Sequence, residues 1–172
     1  MRLVEINSGN WDEIVMLTTN DSGMPTLHEK FLASNAYSIL QSRFEKGGNV
    51  RGIEEAGRLV GFTMYGYNFE DQFYEICRLM IDRCFQGKGY GRKALRLIIE
   101  EMKKINGIRE IYISAEPENK RALGLYRSEG FSDTGRFLAG ERLLVMKLPE
   151  GTHADSADAS LNGAAVRPRQ GV

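Results

Sequence analysis

Along the chain the spacing of hydrophobic residues switches several times between two and about 3.6, and each switch marks an element. Residues 2–6 read as a short strand, and apolar positions 11, 14, 15 and 17 have helical spacing. A second helical stretch is predicted over residues 31–44, with Ser34 or Asn35 able to cap part of it and Gly47-Gly48 breaking it. Residues 50–54 and 59–67 flank Glu55-Ala56-Gly57-Arg58, a hairpin signal, and residues 72–81 add a third antiparallel strand. From Gly91 onward Ala94, Leu95, Leu97, Ile98, Ile99, Met102 and Ile105 form a helical stripe wide enough to cover a sheet, until Asn106-Gly107 stops it. Residues 109–115 alternate as a strand, 119–129 form a short helix closed by Gly130, and 131–138 pairs with 142–148 around Ala139-Gly140. The order predicts an α+β fold: a mixed, mostly antiparallel twisted sheet of six to seven strands with helices on both faces.

From Pro149 the chain changes character. Residues 150–172 hold one leucine and two valines among small and polar residues, too little apolar surface to offset the entropy of ordering. The predicted organisation is therefore one domain over residues 1–149 and a low-complexity, disordered tail over 150–172. With 172 residues, 42% of them hydrophobic, the chain can build a sizeable core. It has no 18-residue apolar run, and charges interrupt its first residues where a signal peptide would be apolar, so a cytoplasmic protein with no membrane partner is expected. Two histidines and two cysteines outside any C-x-x-C pair argue against a metal site.

Between the third meander strand and the long helix lies Gln86-Gly87-Lys88-Gly89-Tyr90-Gly91-Arg92. Glycines at alternate positions let the chain turn with its N–H groups pointing one way, and the following helix adds unpaired N–H groups and its positive dipole end. Such a nest suits a diphosphate, and Arg83, Lys88, Arg92, Lys93 and Arg96 surround it with cations. The triphosphate motif G-x-x-x-x-G-K-[ST] is absent. The dinucleotide pattern is formally met by Gly89 to Ala94, yet antiparallel hairpins precede it where parallel βαβ units are required.

The formal net charge is zero but lopsided. Residues 1–76 carry six Lys/Arg against eleven Asp/Glu, and residues 77–109 carry nine against three. A neutral total disfavours nucleic-acid binding, whereas a basic half joined to an acidic one suits an anionic cofactor and a cationic second substrate.

Gln86, Gly89 and Gly91 together form a Gln-x-x-Gly-x-Gly pattern that resembles the coenzyme A loop of the Gcn5-related N-acetyltransferases. The likeness extends further. The order of elements over residues 1–148 is that family's order, and Asn119, Ala122, Leu125, Tyr126, Gly130 and Phe131 are similar to its N-x-x-A-x-x-L-Y-x-x-x-G-F stretch. Residues 31–38, 60–66 and 78–82 resemble the bacterial spermine/spermidine (diamine) acetyltransferases.

The resemblance implies acetyl-CoA as co-substrate, a small-molecule amine as acceptor, and a homodimer, an assembly common in the family. It implies main-chain contacts from Leu79, Met80 and Ile81 to the pantetheine arm in a gap between two parallel strands. The diphosphate falls to Gln86, Gly87, Lys88, Gly89, Tyr90, Gly91 and Arg92, the arm also to Asn119, and Tyr126 lies near the sulfur. Transfer to an amine needs a proton removed from the ammonium and one supplied to the leaving thiolate. Tyr126 is the candidate donor and Glu75 the candidate base, acting through water. Glu29, Glu54, Glu55, Glu70, Asp71 and Glu75 are candidates to attract a polycation, and Trp11, Tyr37, Tyr65 and Tyr67 to line its groove. Two other readings stand beside this one: an acetyltransferase for an aminoglycoside-type or protein amine, and a noncatalytic acyl-CoA-binding module.

Overall fold

The computed structural model describes residues 1–26, 28, 29 and 32–149, with His28 and Leu32 through their backbone alone. The tail at 150–172 and the helix start expected at Phe31 lie outside the described residues. Seven strands form one sheet in the order β1-β4-β5-β6-β7-β9-β8, and β2 (His28–Glu29) pairs with β3 (Leu32–Ala33) apart from it. The seven are β1 (Arg2–Glu5), β4 (Gly48–Glu55), β5 (Arg58–Asn68), β6 (Phe73–Ile81), β7 (Glu110–Ala115), β8 (Ser132–Leu138) and β9 (Glu141–Lys147). Every neighbouring pair is antiparallel except β6 with β7.

The sheet is covered on both faces, which explains why its central strand β5 reads as an almost continuous buried run. On one face Ile14 of α1 (Trp11–Met16) and Ile39 of α2 (Asn35–Phe44) pack with Leu59, Phe62, Met64 and Met80. On the other, Leu95, Ile98, Ile99 and Met102 of α3 (Tyr90–Met102) join Leu123 and Tyr126 of α4 (Lys120–Ser128) over Ile76, Ile111 and Ile113. Ser34 caps α2 by accepting a hydrogen bond from the Tyr37 N–H, so the helix starts there and not further upstream. The two short hairpins use the same loop: Ala56-Gly57 and Ala139-Gly140 have φ of 51° and 76°, and 48° and 89°, the two-residue turn that matches strand twist. No described helix is long and apolar enough to cross a membrane.

Candidate active site

β6 and β7 are hydrogen-bonded partners over only two registered pairs, Glu75↔Tyr112 and Ile76↔Ile113. The cause lies in the next residue of β6. Against β5 the register passes from Tyr65↔Ile76 to Met64↔Arg78, leaving Cys77 unpaired as a bulge. A bulge bends its strand and sharpens its twist, so β6 turns away from β7 and the two separate beyond Ile76. Main-chain groups of β6 on that edge then have no strand to bond to. A trace of this is visible in the apolar pattern: Tyr74 and Ile76, then Leu79 and Ile81, pack toward α3 and α4, a shift of one position within the strand.

The separation opens a cleft of about 1140 Å³ between the ends of β6 and β7, the loop before α3, and α4. Leu79, Met80, Ile81, Gln86, Gly87, Gly89, Tyr90, Gly91, Arg92, Asn119 and Tyr126 all line it. Lys88 and Glu75 do not. Lys88 Nζ sits 5.2 Å from the centroid of the Phe85 ring and donates to the Cys84 carbonyl at 3.3 Å.

The loop is held by side chains at both ends. Asp82 accepts from the Cys84 N–H at 2.8 Å, capping a short 3-10 turn over Arg83–Phe85, and from the Thr18 N–H at 3.0 Å. Gln86 Nε2 donates to the Ile81 carbonyl at 3.0 Å. Of the three glycines only Gly87 and Gly89 need to be glycine for backbone reasons, with φ of 78° and 77°. A Cβ at either would meet nothing within 4 Å, so the surrounding space is open. Gly91 lies in the first turn of α3 without a left-handed φ, and a Cβ there would make ordinary contact with Leu125. α3 has no side-chain cap and no acidic residue in its first turn, so its leading N–H groups are available to an anion. Arg92 is less available than its position suggests, because Glu129 pairs with both Arg92 and Arg96. Lys120 and Arg121, at the start of α4, supply further cations to the cleft; they sit beside Asn119 in sequence, which is the signal that could have found them.

Asn119 caps α4 through Oδ1, which accepts from the Ala122 N–H at 3.2 Å. Its amide nitrogen has no partner among the described residues and can donate into the cleft. Tyr126 is 7% exposed, and burial, with the charge of Glu141, holds its phenol well above the ordinary tyrosine range. Its hydroxyl makes no hydrogen bond among the described residues.

Three carboxylates line the cleft, Asp21 from the acidic half and Glu118 and Glu141 from outside it. The acidic residues expected to attract a polycation are engaged elsewhere or lie outside the lining. Glu29, 7% exposed, accepts from the Thr18 and Thr19 hydroxyls, the Thr19 and Thr26 N–H groups and the Asn20 amide. Glu54 pairs with Arg2 at 2.9 Å, Glu55 with the N-terminal amine at 2.6 Å, and Asp71 accepts from Asn68 at 3.1 Å. Glu75 also accepts from Asn68 at 3.1 Å; burial pushes its carboxyl above the ordinary range, against the pull of that bond. None of the four aromatic candidates lines the cleft either. Trp11 and Tyr37 are about half exposed, Tyr65 is buried, and Tyr67 stacks edge-on against Phe69 and Tyr74. Cys77 does line it, and burial raises its thiol to about 11. Among the described residues no cluster of three or more His, Cys, Asp or Glu could hold a metal.

Parallel strands that separate after two pairs, with a glycine loop and an uncapped helix N-terminus at one end and a buried phenol at the other, suit a substrate that carries a phosphate and an amide-bearing arm. The chain belongs to the acetyltransferase (GNAT) family, whose profile matches residues 11–131. It is an N-acetyltransferase. Over 104 residues it is 34% identical to the spermine/spermidine N(1)-acetyltransferase of Bacillus subtilis, a match spanning 56% of this chain and 68% of that protein. A chimera of the Vibrio cholerae spermidine N-acetyltransferase SpeG with hSSAT superposes with a TM-score of 0.64 at 19% identity, covering 86% of this chain and 96% of the other. A GNAT family acetyltransferase from Elizabethkingia anophelis, solved with acetyl-CoA bound, gives 0.58 at 17% identity, covering 85% and 97%.

Proposed function

We propose that the protein transfers the acetyl group of acetyl-CoA directly to a primary amine of a polyamine of the spermine/spermidine type, in the cytoplasm and as a homodimer. The observation that carries the donor half of this reading is that β6 and β7 stop pairing after Ile76, which leaves a strand edge along which an amide-bearing pantetheine arm can hydrogen-bond. The residues present fit the donor. The N–H groups of the glycine loop and of the α3 N-terminus suit a diphosphate, with Lys120 and Arg121 nearby, and the Asn119 amide and the β6 edge from Leu79 to Ile81 suit the amide-rich arm. The Elizabethkingia neighbour, solved with acetyl-CoA, supports the same donor. Acceptor class rests on the Bacillus relative.

The bound donor supplies an activated acetyl group, and the chain supplies the rest. A main-chain N–H of β6 beyond the bulge donates to the thioester oxygen as negative charge develops there. Tyr126 stays protonated across the physiological range; because its raised phenol is a weak acid, it passes its proton to the departing sulfur only as it takes one from the attacking nitrogen. A relay through Cys77 is disfavoured: with its thiol near 11, only about one molecule in ten thousand carries the thiolate nucleophile at pH 7.

The test is thiol release from acetyl-CoA with a panel of spermine, spermidine, putrescine, a lysine peptide and an aminoglycoside. Fastest release with spermine or spermidine is expected. Acetyl-CoA binding without release to any amine would contradict transfer, and preference for the peptide or the aminoglycoside would contradict the acceptor.

A further inference from the structure

An ammonium group near pKa 10 must lose a proton before it can attack, so a carboxylate or an equivalent base has to face the thioester. We propose that Glu141, and not Glu75, holds the incoming ammonium and takes that proton; the assignment rests on the acetyltransferase reading above.

Placement comes first. Glu141 is the opening residue of β9, set by the Ala139-Gly140 turn, and β9 runs against β7 with Ala115↔Arg142 and Ser114↔Leu143 in register. It therefore stands beside the end of β7, where that strand has already parted from β6. Its carboxylate is oriented: the Ser114 hydroxyl donates to Oε2. Oε1 has no hydrogen-bond or ion-pair partner among the described residues, although a guanidinium is next to it in sequence. That guanidinium, Arg142, is held by Asp133 at 3.1 Å and lies over the Phe137 ring.

Tyr126 provides an independent pointer to a ligand in the same place. It is more than nine-tenths buried, it lines the cleft, its hydroxyl has no hydrogen-bond partner among the described residues, and it feels the Glu141 charge. A proton donor and a proton acceptor thus border one space. On β6 the groups that feel the Glu141 charge are Glu75 and Cys77, and Arg78, Glu118, Lys120 and Arg121 line the same cleft. Glu75 sits at the last closed pair of the sheet, already occupied by Asn68 and outside the lining of the cleft.

The protons balance. The ammonium nitrogen carries three: one passes to Glu141 and then to solvent, one restores the Tyr126 hydroxyl as that residue protonates the sulfur, and one remains on the amide. The nitrogen–carbon bond forms as the carbon–sulfur bond breaks.

In the wild-type enzyme kcat/KM for the amine should be nearly flat between about pH 6 and 9, because the ammonium form, which is the form that binds and reacts, predominates throughout that range. Glu141→Gln should lower kcat at pH 7 about a hundredfold or more, with acetyl-CoA affinity and melting temperature unchanged. Its kcat/KM should climb tenfold per pH unit through the same range, since only free amine then reacts. Glu141→Asp should retain the flat profile, which a merely structural role would not predict, and Glu75→Gln should stay within fivefold of wild type. A working wild-type enzyme whose Glu141→Gln variant lies within threefold of it, or loses rate with no rise toward alkaline pH, overturns this assignment alone. A wild-type enzyme that releases no thiol with any amine removes the reading beneath it.

Discussion

The carboxylates of Glu29 and Glu141 show why the two halves of the molecule were unequally readable. Glu29 lies in the acidic N-terminal half and was expected to meet a polycation, yet it is buried and takes five hydrogen bonds that tie the loop after α1 together. Glu141 sits in the hairpin around Ala139-Gly140, outside the acidic half, and lines the cleft. Summed charge over a stretch of chain reports on long-range potential, not on which side chains reach a site. A carboxylate surrounded by donors from its own loop is a structural element; one tethered through a single oxygen beside a cavity is a chemical one.

The largest effect that sharpens this contrast, apart from removal of the Glu141 carboxylate, is Tyr126→Phe. It should cut kcat by about a hundredfold or more while leaving the acetyl-CoA dissociation constant from calorimetry within twofold, because the proposed role of the lost group is on the leaving sulfur and not in donor binding. Unchanged kcat would reduce Tyr126 to a packing residue. On the loop, Gly89→Ala should cost about 1 to 2 kcal/mol of stability through its left-handed φ and weaken acetyl-CoA binding, whereas Gly91→Ala should leave stability almost unchanged in urea melts.

Glu29→Gln comes next, because one oxygen becomes a donor facing donors: a loss of about 1 to 3 kcal/mol in urea titration is expected, with the acetyl-CoA affinity intact. The pH dependence of stability should separate Glu29 from Glu75. Burial raises the Glu29 carboxyl, but the hydrogen bonds from Thr18, Thr26 and Thr19 outweigh it and leave the value below the ordinary one. Its stabilisation is therefore complete above the unfolded glutamate pKa, about 4.3, and is lost as pH falls through the lower folded value. Glu75 runs the other way: its raised value makes it a liability that grows as pH climbs from the unfolded pKa through the folded one, so Glu75→Gln should gain stability at neutral pH relative to pH 4. Smallest of all, Glu54→Gln and Glu70→Gln should alter kcat/KM for spermidine by less than twofold. A tenfold loss at either would restore the acidic half to substrate binding.

Legibility followed locality. The order of the main strands and helices, the α3 stripe, the cap at Ser34 and both Ala-Gly hairpins depend on neighbours within a few residues, and the sequence carries them directly. The glycine loop is equally local, although only the backbone angles separate Gly87 and Gly89 from Gly91. What stayed hidden is the geometry made by pairing across the sheet. The Cys77 bulge requires knowing the register of β6 against β5, and the tether from Ser114 to Glu141 spans 27 residues. The short strand β3 falls inside the stretch that reads as helical, because its pairing with β2 depends on a partner upstream of that stretch.

The central claim is that the edge of β6 beyond Cys77 and the loop before α3 together receive acetyl-CoA. Hydrogen exchange of the purified protein, with and without acetyl-CoA, tests it most directly. Slowed exchange of the amides from Leu79 to Ile81 and from Gly87 to Arg92 on adding acetyl-CoA is the expected result. Binding that leaves both segments as fast as before, or that protects a different part of the sheet, would contradict the account.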